Sequence, residues 1–141
     1  MKRNLTTIAT IVMMVLSLSS FANGKVNPST NNSSKAILAR YIDASVLGKQ
    51  NIIKEMLTDD FDFVNTSSKT KATKKEYSEF LINTDNLTYN CATSYEILDQ
   101  SGNAAIAKVT MKFENFTRVD IINMSSTAKG WQINQIISNF L

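Results

Sequence analysis

The chain has 141 residues, with 15 basic and 12 acidic side chains, a formal net charge of +3, no histidine and one cysteine. The lack of histidine excludes Ser-His and Cys-His nucleophile pairs and the usual zinc sites. As the only cysteine, Cys91 cannot form an intramolecular disulfide, so the fold must be stabilised by its core alone. We interpret Cys91 as a small buried apolar side chain. We expect no cofactor and no metal.

The first 22 residues have the pattern of an export signal. Residues 1–3 are a short basic start, Leu5–Leu18 is an uncharged, mostly apolar run, and small residues precede Ala22. This pattern predicts a secretory signal peptide at 1–22, cleaved after Ala22. The run is shorter than the ~20 residues a membrane span needs, so we expect no stable membrane anchor after cleavage. The protein is therefore predicted to be periplasmic or secreted.

Loss of the signal peptide removes Lys2 and Arg3, which lowers the net charge from +3 to +1. This balance gives no reason to expect a nucleic-acid partner. Residues 23–34 are polar, contain the only proline and predict a flexible leader. One domain is predicted at residues 35–141.

The first half of this domain is predicted to be mainly helical. Ser33 or Ser34 caps a helix of apolar three- and four-residue spacing that ends at Gly48. A short second helix is predicted at about 50–57, ended by Asp59 and Asp60. Residues 61–65 follow as a short strand, and 67–72 as a lysine- and serine-rich loop.

A capping box formed by Thr73 and Glu76 predicts a third helix at about 74–83, with Tyr77, Phe80 and Leu81 facing inward. Four antiparallel strands are predicted at about 87–99, 104–114, 117–125 and 131–139, separated by turn residues. Residues 108–114 alternate strictly between apolar and polar side chains. One side of the sheet is therefore expected to face water.

This order predicts an α+β fold, in which a strongly curved antiparallel sheet wraps around the N-terminal helices as a cone. Such a sheet leaves a concavity at its open end. The aromatic and large apolar side chains predicted to line it are Tyr41, Phe61, Phe63, Phe80, Met111, Phe113 and Trp131. The alternative is that these side chains fill the cone as core.

Three segments resemble one superfamily. They are AILARYIDASVLGKQNIIKEMLTDDFDFVN, KKEYSEFL and KGWQINQIISNF, which together cover about Ser34 to Phe140. In order and spacing they resemble the nuclear transport factor 2-like superfamily, which includes ketosteroid isomerases, SnoaL-like cyclases and a group described as "putative lumazine-binding". The resemblance implies a cystatin-like roll. Among these groups, the small exported members look most like the lumazine-binding group.

The resemblance to the isomerases can be followed residue by residue. Tyr41 matches a tyrosine that donates to the substrate oxyanion, and Asp120 can match a protonated aspartate beside it. The position of the carboxylate base is occupied by Asn65, and an amide cannot accept a proton at useful pH. Asp62 would project from the opposite strand face. The SnoaL-like reaction also needs a carboxylate, so the resemblance implies binding without catalysis.

The three aspartates at 59, 60 and 62 do not form a calcium loop, because the glycine turn and the distal glutamate are missing. We therefore predict a non-catalytic, exported binding protein with a partly apolar pocket for a small apolar or heterocyclic molecule. Hydrogen bonds from Tyr41, Asn65, Asp120 and Gln135 would orient that ligand.

Two alternatives to this function remain open. One is an isomerase or cyclase with a displaced base, and the other is a protein-interaction module that uses the outer face of the sheet. The mixed pattern of Val119, Ile121, Ile122 and Met124 predicts that this outer face is covered. The resemblance implies that the cover is a second subunit, so we expect a homodimer.

Overall fold

The computed structural model describes residues 33–49 and 53–141. Within these residues the elements are, in chain order, α1 (Ser34–Leu47), α2 (Ile53–Met56), β1 (Leu57–Asn65), β2 (Thr70–Thr73), α3 (Lys74–Asn83), β3 (Ala92–Ser101), β4 (Ala104–Lys112), β5 (Thr117–Thr127) and β6 (Gly130–Phe140). The predicted signal peptide, the leader up to residue 32 and positions 50–52 of the predicted second helix lie outside the described residues.

Helix α1 begins and ends where the sequence predicts. Ser33 Oγ accepts a hydrogen bond from the Ala36 amide at 3.1 Å. Gly48 ends the helix with φ +67°, in the left-handed region that favours glycine. A Cβ at Gly48 would also lie 2.9 Å from the backbone of Asn86. The glycine therefore ends α1 and lets the segment after α3 pack against it.

The six strands form one sheet in the order β2-β1-β6-β5-β4-β3. All neighbours are antiparallel except β1 and β6, which are parallel. After α3 the chain crosses to the far edge of the sheet, and the four-strand meander β3–β6 then ends beside β1. Register shifts interrupt three of the strand pairs, and such bulges bend strands. The result is a curved, unclosed sheet that packs against the helices, and this confirms the predicted α+β cone. The parallel pairing of β1 with β6 was not predicted.

Two predictions at the start of the sheet are wrong in detail. Strand β1 begins at Leu57, so Asp59 and Asp60 lie inside a strand and not at the end of a helix. They lie between Leu57 and Asp62, where the register of β1 with β6 shifts and the strands are not paired. Both aspartates are exposed there, so their charges remain in water. Residues 70–73 form β2, which pairs with β1 in place of the predicted loop.

The first meander strand starts later than predicted, at Ala92 and not at about residue 87. The reason is that the preceding backbone bonds to the end of α1: the Tyr89 amide donates to the Val46 carbonyl at 2.9 Å and the Asn86 amide to the Gly48 carbonyl at 3.2 Å. These residues are thereby held away from the sheet edge.

The core lies between the concave face of the sheet and α1. Ile37, Leu38 and Ala44 of α1 are fully buried, as is Val109 of β4. Met111 is also buried and Phe113 half-buried, so the predicted alternation of β4 is confirmed. In the described ranges, 33–49 and 53–141, no helix has the length and apolar character required to cross a membrane.

Candidate functional site

A cavity of about 620 Å³ opens between α3, the β1–β2 hairpin and the β4–β5 turn. This volume is in the range of pockets that take small molecules. Its lining is mainly apolar and aromatic, with a few polar and charged side chains: Ser45, Phe63, Asn65, Thr70, Lys71, Ala72, Glu76, Tyr77, Phe80, Leu81, Thr84, Tyr89, Met111, Phe113, Phe116, Arg118 and Phe140.

Stacked rings form two walls of the cavity. On one side, Phe63 of β1 stacks on Tyr77 of α3, with ring centroids 4.8 Å apart. On the other, Phe113 and Phe116 stack at 4.4 Å with an interplanar angle of 13°. The turn that joins them is closed by a hydrogen bond from the Phe113 amide to the Phe116 carbonyl at 3.0 Å. The two walls therefore present ring faces and edges to the space between them.

Asn65 lies at the end of β1 and lines the cavity, on the same strand face as Phe63. Its side-chain oxygen accepts hydrogen bonds from the Ser67 and Ser68 amides, each at 3.0 Å. These bonds shape the turn between β1 and β2. The oxygen is thus used by the fold, and the amide NH₂ is the part of Asn65 left to meet a ligand.

A buried polar cluster supports the floor of the cavity. The carboxylate of Asp120, which is fully buried, accepts hydrogen bonds from Tyr41 Oη at 2.6 Å and from Arg118 Nε at 2.9 Å. Ser138 Oγ donates to the same carboxylate. Arg118 Nη2 also donates to Tyr41 Oη at 3.2 Å. Of these residues, Arg118 alone belongs to the cavity lining.

The surroundings of the cluster shift the pKa of Tyr41, of Arg118 and of the neighbouring Tyr77. Burial, and then the charge of Asp120, raise the pKa of Tyr41 well above its ordinary value. Burial also raises the pKa of Tyr77, and its hydrogen bonds with Tyr41 and Arg118 act in the opposite direction. Burial alone would lower the pKa of Arg118, but its attraction to Tyr41 and Asp120 holds that pKa above the usual value. Arg118 therefore keeps its positive charge, and both tyrosines keep their protons.

Five of the ten predicted site residues line the cavity. They are Phe63, Asn65, Phe80, Met111 and Phe113. Phe80 does so from the rim: its side chain is 60% exposed, so the prediction that it faces inward with Tyr77 and Leu81 is wrong. The buried stripe of α3 passes through Tyr77, Ser78 and Leu81, and Phe80 lies beside it. Whether these residues bind a ligand stays a prediction.

Three predicted residues are buried in places that the cavity does not reach. Tyr41 and Asp120 lie beneath Arg118 and bond to each other. Phe61 packs under Tyr77 at 5.3 Å as part of the core. The three residues compared with an isomerase site therefore do not converge on one space: Asn65 faces the cavity, while Tyr41 and Asp120 are buried away from it.

The last two predicted residues are placed elsewhere for identifiable reasons. Trp131 is the second residue of β6, about 30 Å along the strand from the cavity residue Phe140. Gln135 lies on the outer face, where it donates to Asp62 at 3.1 Å and accepts from Asn123 at 2.8 Å. Asn134 has no partner on β5, because Met124 pairs with Ile133 and Asn123 with Gln135. This bulge reverses the alternation of side chains along β6, so Gln135 faces outward.

Several lining residues were missed by the sequence analysis, and Arg118 matters most among them. The sequence did contain a signal for Arg118. Residues two apart on a strand share a face, so predicting that Asp120 points inward also predicts that Arg118 points inward. Phe116 and Phe140 were missed because they lie at strand ends, where the alternation is short. Tyr77 was predicted inward but not assigned to the site.

The acidic segment of β1 does not form a metal centre. Asp59 pairs with Lys74 Nζ at 3.1 Å, and the same Nζ donates to the Leu57 carbonyl at 2.9 Å. Asp62 bonds to Gln135 on the outer face, as its predicted orientation requires. Across the part of the chain that the structure describes, no group of three or more histidine, cysteine, aspartate or glutamate residues could hold a metal ion.

Solved structures share this fold at low sequence identity. A nuclear transport factor 2-like protein of unknown function from Silicibacter pomeroyi is 10% identical, with a TM-score of 0.64 over 76% of this chain and 92% of that one. A ketosteroid isomerase-like protein from Erwinia carotovora atroseptica is 15% identical, with a TM-score of 0.58 over 76% and 92%. A protein of unknown function from Pectobacterium atrosepticum is 13% identical, with a TM-score of 0.65 over 76% and 87%.

These likenesses define the fold class as nuclear transport factor 2-like, which confirms the resemblance drawn from the sequence. Residues 29–136 match the family described as "Putative lumazine-binding", and the chain belongs to that family. None of the curated proteins matches the chain.

Proposed function

We propose that this protein binds a small, partly apolar molecule in the cavity between α3 and the β4–β5 turn, without transforming it. The observation that carries the proposal is the cavity itself. It remains open, at about 620 Å³, although the same fold buries large apolar side chains such as Ile37, Leu38 and Ile133 completely. The family description and the fold support a heterocyclic ligand, since a flat ring would fit between the stacked aromatic walls.

The polar groups around the cavity favour binding over acid–base catalysis. General-base catalysis needs a group that can accept a proton within reach of the substrate. Asn65 is an amide, and the Tyr41 hydroxyl is hydrogen-bonded to Asp120 beneath the cavity. Glu76 lines the cavity, but its carboxylate accepts from the Thr73 amide and hydroxyl in the α3 capping box. An isomerase or cyclase would therefore need a base that these groups do not provide.

Export and dimerisation are part of the same proposal. The basic start and apolar run of residues 1–18 support export. A homodimer is supported by a row of half-buried apolar side chains on the outer face, where Val64 pairs with Ile137 and Ile137 with Ile121. A second copy covering this row would remove apolar surface from water.

Native mass spectrometry of the mature protein, purified from its own host, tests the proposal. We expect a dimer that carries a co-purified small molecule. In parallel, thermal shift with lumazine as the probe is compared between two variants. Ala72→Phe places a ring in the cavity, whereas Ala104→Phe adds the same ring at an exposed site on β4.

The expected result is that Ala72→Phe abolishes the thermal shift and the co-purified mass, while Ala104→Phe keeps both. Equal retention of ligand by the two variants would place binding outside the cavity. A wild-type protein that never carries or binds a small molecule would contradict the proposed function. A monomer at micromolar concentration would contradict only the proposed dimer.

A further inference from the structure

Arg118 is an unusual side chain for the floor of an apolar cavity. Its Nε and Nη2 atoms donate to Asp120 and Tyr41, and its guanidinium lies 5.9 Å from the centroid of the Phe140 ring. A guanidinium carries five N–H donors, more than Asp120, Tyr41 and the neighbouring Tyr77 use, and Arg118 lines the cavity. One edge of the guanidinium is therefore fixed by the protein, and donors on the other edge are left for a ligand.

The other charged groups of the lining cannot take the same role. Lys71 is exposed at the mouth, where water and salt screen its charge. Glu76 is held by Thr73 at the start of α3. Arg118 is the one charged lining residue whose side chain is mostly buried, at 21% exposure. A ligand that enters the cavity thus meets a guanidinium whose charge is paired with Asp120 on the side away from the cavity.

A further polar atom lies along the lining. Ser45 Oγ, on α1, is buried and has no hydrogen-bond partner within the part of the chain that the structure describes. A buried hydroxyl without a partner is uncommon, because its desolvation is not compensated. Its presence in the lining indicates a second point at which a polar group of a ligand would be stabilised.

We propose that the ligand is a flat aromatic or heteroaromatic acid whose carboxylate is bound by Arg118. This inference rests on the proposed function, since it names the class of ligand for the same cavity. A planar guanidinium matches a carboxylate with two parallel hydrogen bonds. The ring system would lie between the Phe63–Tyr77 and Phe113–Phe116 walls. The floor then selects the acid and the walls select the flat ring.

The test uses two probes of nearly the same shape, of which only the first is charged: 2-naphthoate and 2-naphthamide, measured by isothermal titration calorimetry on the full mature protein. We expect the wild type to bind naphthoate at least about tenfold more tightly, as one charge-assisted hydrogen bond can provide. Trp131 is far from the cavity, so calorimetry is preferable to intrinsic fluorescence. A crystal soaked in naphthoate should place its carboxylate within hydrogen-bond distance of the Arg118 guanidinium.

Two variants assign the preference to Arg118. Arg118→Gln should bring naphthoate down to the affinity of naphthamide and leave naphthamide binding within about threefold. Arg118→Lys, which keeps the charge but loses the planar fork, should retain part of the preference and serves if the glutamine variant does not fold. The matched control is Lys108→Gln on the outer face, which removes one positive charge and should change neither probe.

Each outcome separates the two proposals. Equal binding of both probes by the wild type overturns the acid ligand but leaves a small-molecule cavity. A preference that survives Arg118→Gln, or that disappears in Lys71→Gln, overturns the role of Arg118. A wild type that binds neither probe overturns the acid ligand, while the co-purified mass and the lumazine thermal shift decide separately whether the cavity binds a small molecule.

Discussion

The two ends of the concave interior are built in opposite ways. At the closed end, Met56, Leu57, Met124, Trp131 and Ile133 meet where β1, β5 and β6 pair, and none is more than 8% exposed. At the open end, large side chains surround a cavity, and four of them remain 40–60% exposed: Phe80, Tyr89, Phe116 and Phe140. The closed end therefore stabilises the fold, while the open end keeps apolar surface available for a ligand.

The largest effect is expected at the boundary between the two ends, where Asp120 supports the cavity floor. Asp120→Ala should lower the free energy of unfolding by about 3–5 kcal/mol, because it leaves Arg118 buried without its counter-charge. Urea unfolding followed by circular dichroism measures the change. Asp60→Ala, an exposed aspartate of β1, should change it by less than about 0.5 kcal/mol. Similar losses in the two variants would show that the buried pair does not support the floor.

Next in size is a direct comparison of the two ends. Ile133→Ala at the closed end should cost about 2–5 kcal/mol, since the side chain is fully buried and leaves a cavity. Phe116→Ala at the open end should cost about 1 kcal/mol, because 42% of that residue is already exposed and mainly its stacking on Phe113 is lost. If both variants unfold at the same urea concentration, the two ends do not differ in their contribution to stability.

A smaller effect is expected at α3, which forms one wall of the open end. Thr73→Ala removes the hydroxyl that caps α3 and should cost about 1 kcal/mol. Hydrogen exchange should increase at the first amides of α3 and not in α1. Thr88→Ala, in the exposed segment before β3, makes the same chemical change without a cap and should be neutral. Loss of protection spread evenly over both helices would argue against a local capping role.

The smallest effect concerns Asp59, which lies outside both ends. A hydrogen bond from Lys74, and then its charge, hold the pKa of Asp59 below its usual 3.8 in the folded protein. The pair therefore stabilises the fold at neutral pH, and this contribution is lost as the pH falls through the lowered pKa. The stability difference between wild type and Asp59→Asn should be small at pH 7 and vanish in acid. A difference that grows in acid would have the wrong sign.

Much of the fold could be predicted because its signals are local. Ser33, Gly48 and the Thr73–Glu76 pair fix helix ends through short-range hydrogen bonds and backbone conformation, and all appear as predicted. The alternation around Val109 and Met111 fixes the face of β4. The β2 strand was missed because its four residues form a strand only by pairing with β1, and the single lysine and two threonines of the segment do not indicate that contact.

The candidate site was harder to predict, because it depends on bulges and on partners distant in sequence. Tyr41 and Asp120 were matched to a ligand site, but 79 positions apart they bond to each other. Gln135 was assigned to the site although apolar residues on both faces of its strand gave no signal for its orientation, and the extra residue at Asn134 places it on the outer face. Arg118 could have been found by the spacing to Asp120, but whether it faced a cavity or a filled core depended on packing that no local pattern encodes.

The extra residue in β6 also determines which insertions and deletions would change the lining of the cavity in this protein. The bulge lies between the closed end and the cavity, so it sets which side chains of the last third of the strand point into the hollow. Loss of Asn134 itself would keep Ser138 and Phe140 inside, because regular alternation from Ile133 gives them the same face. Loss of one residue beyond the bulge, such as Ile137, would instead turn Ser138 and Phe140 to the outside and bring Asn139 in. A one-codon deletion at that place would thus exchange the lining at one mouth of the cavity.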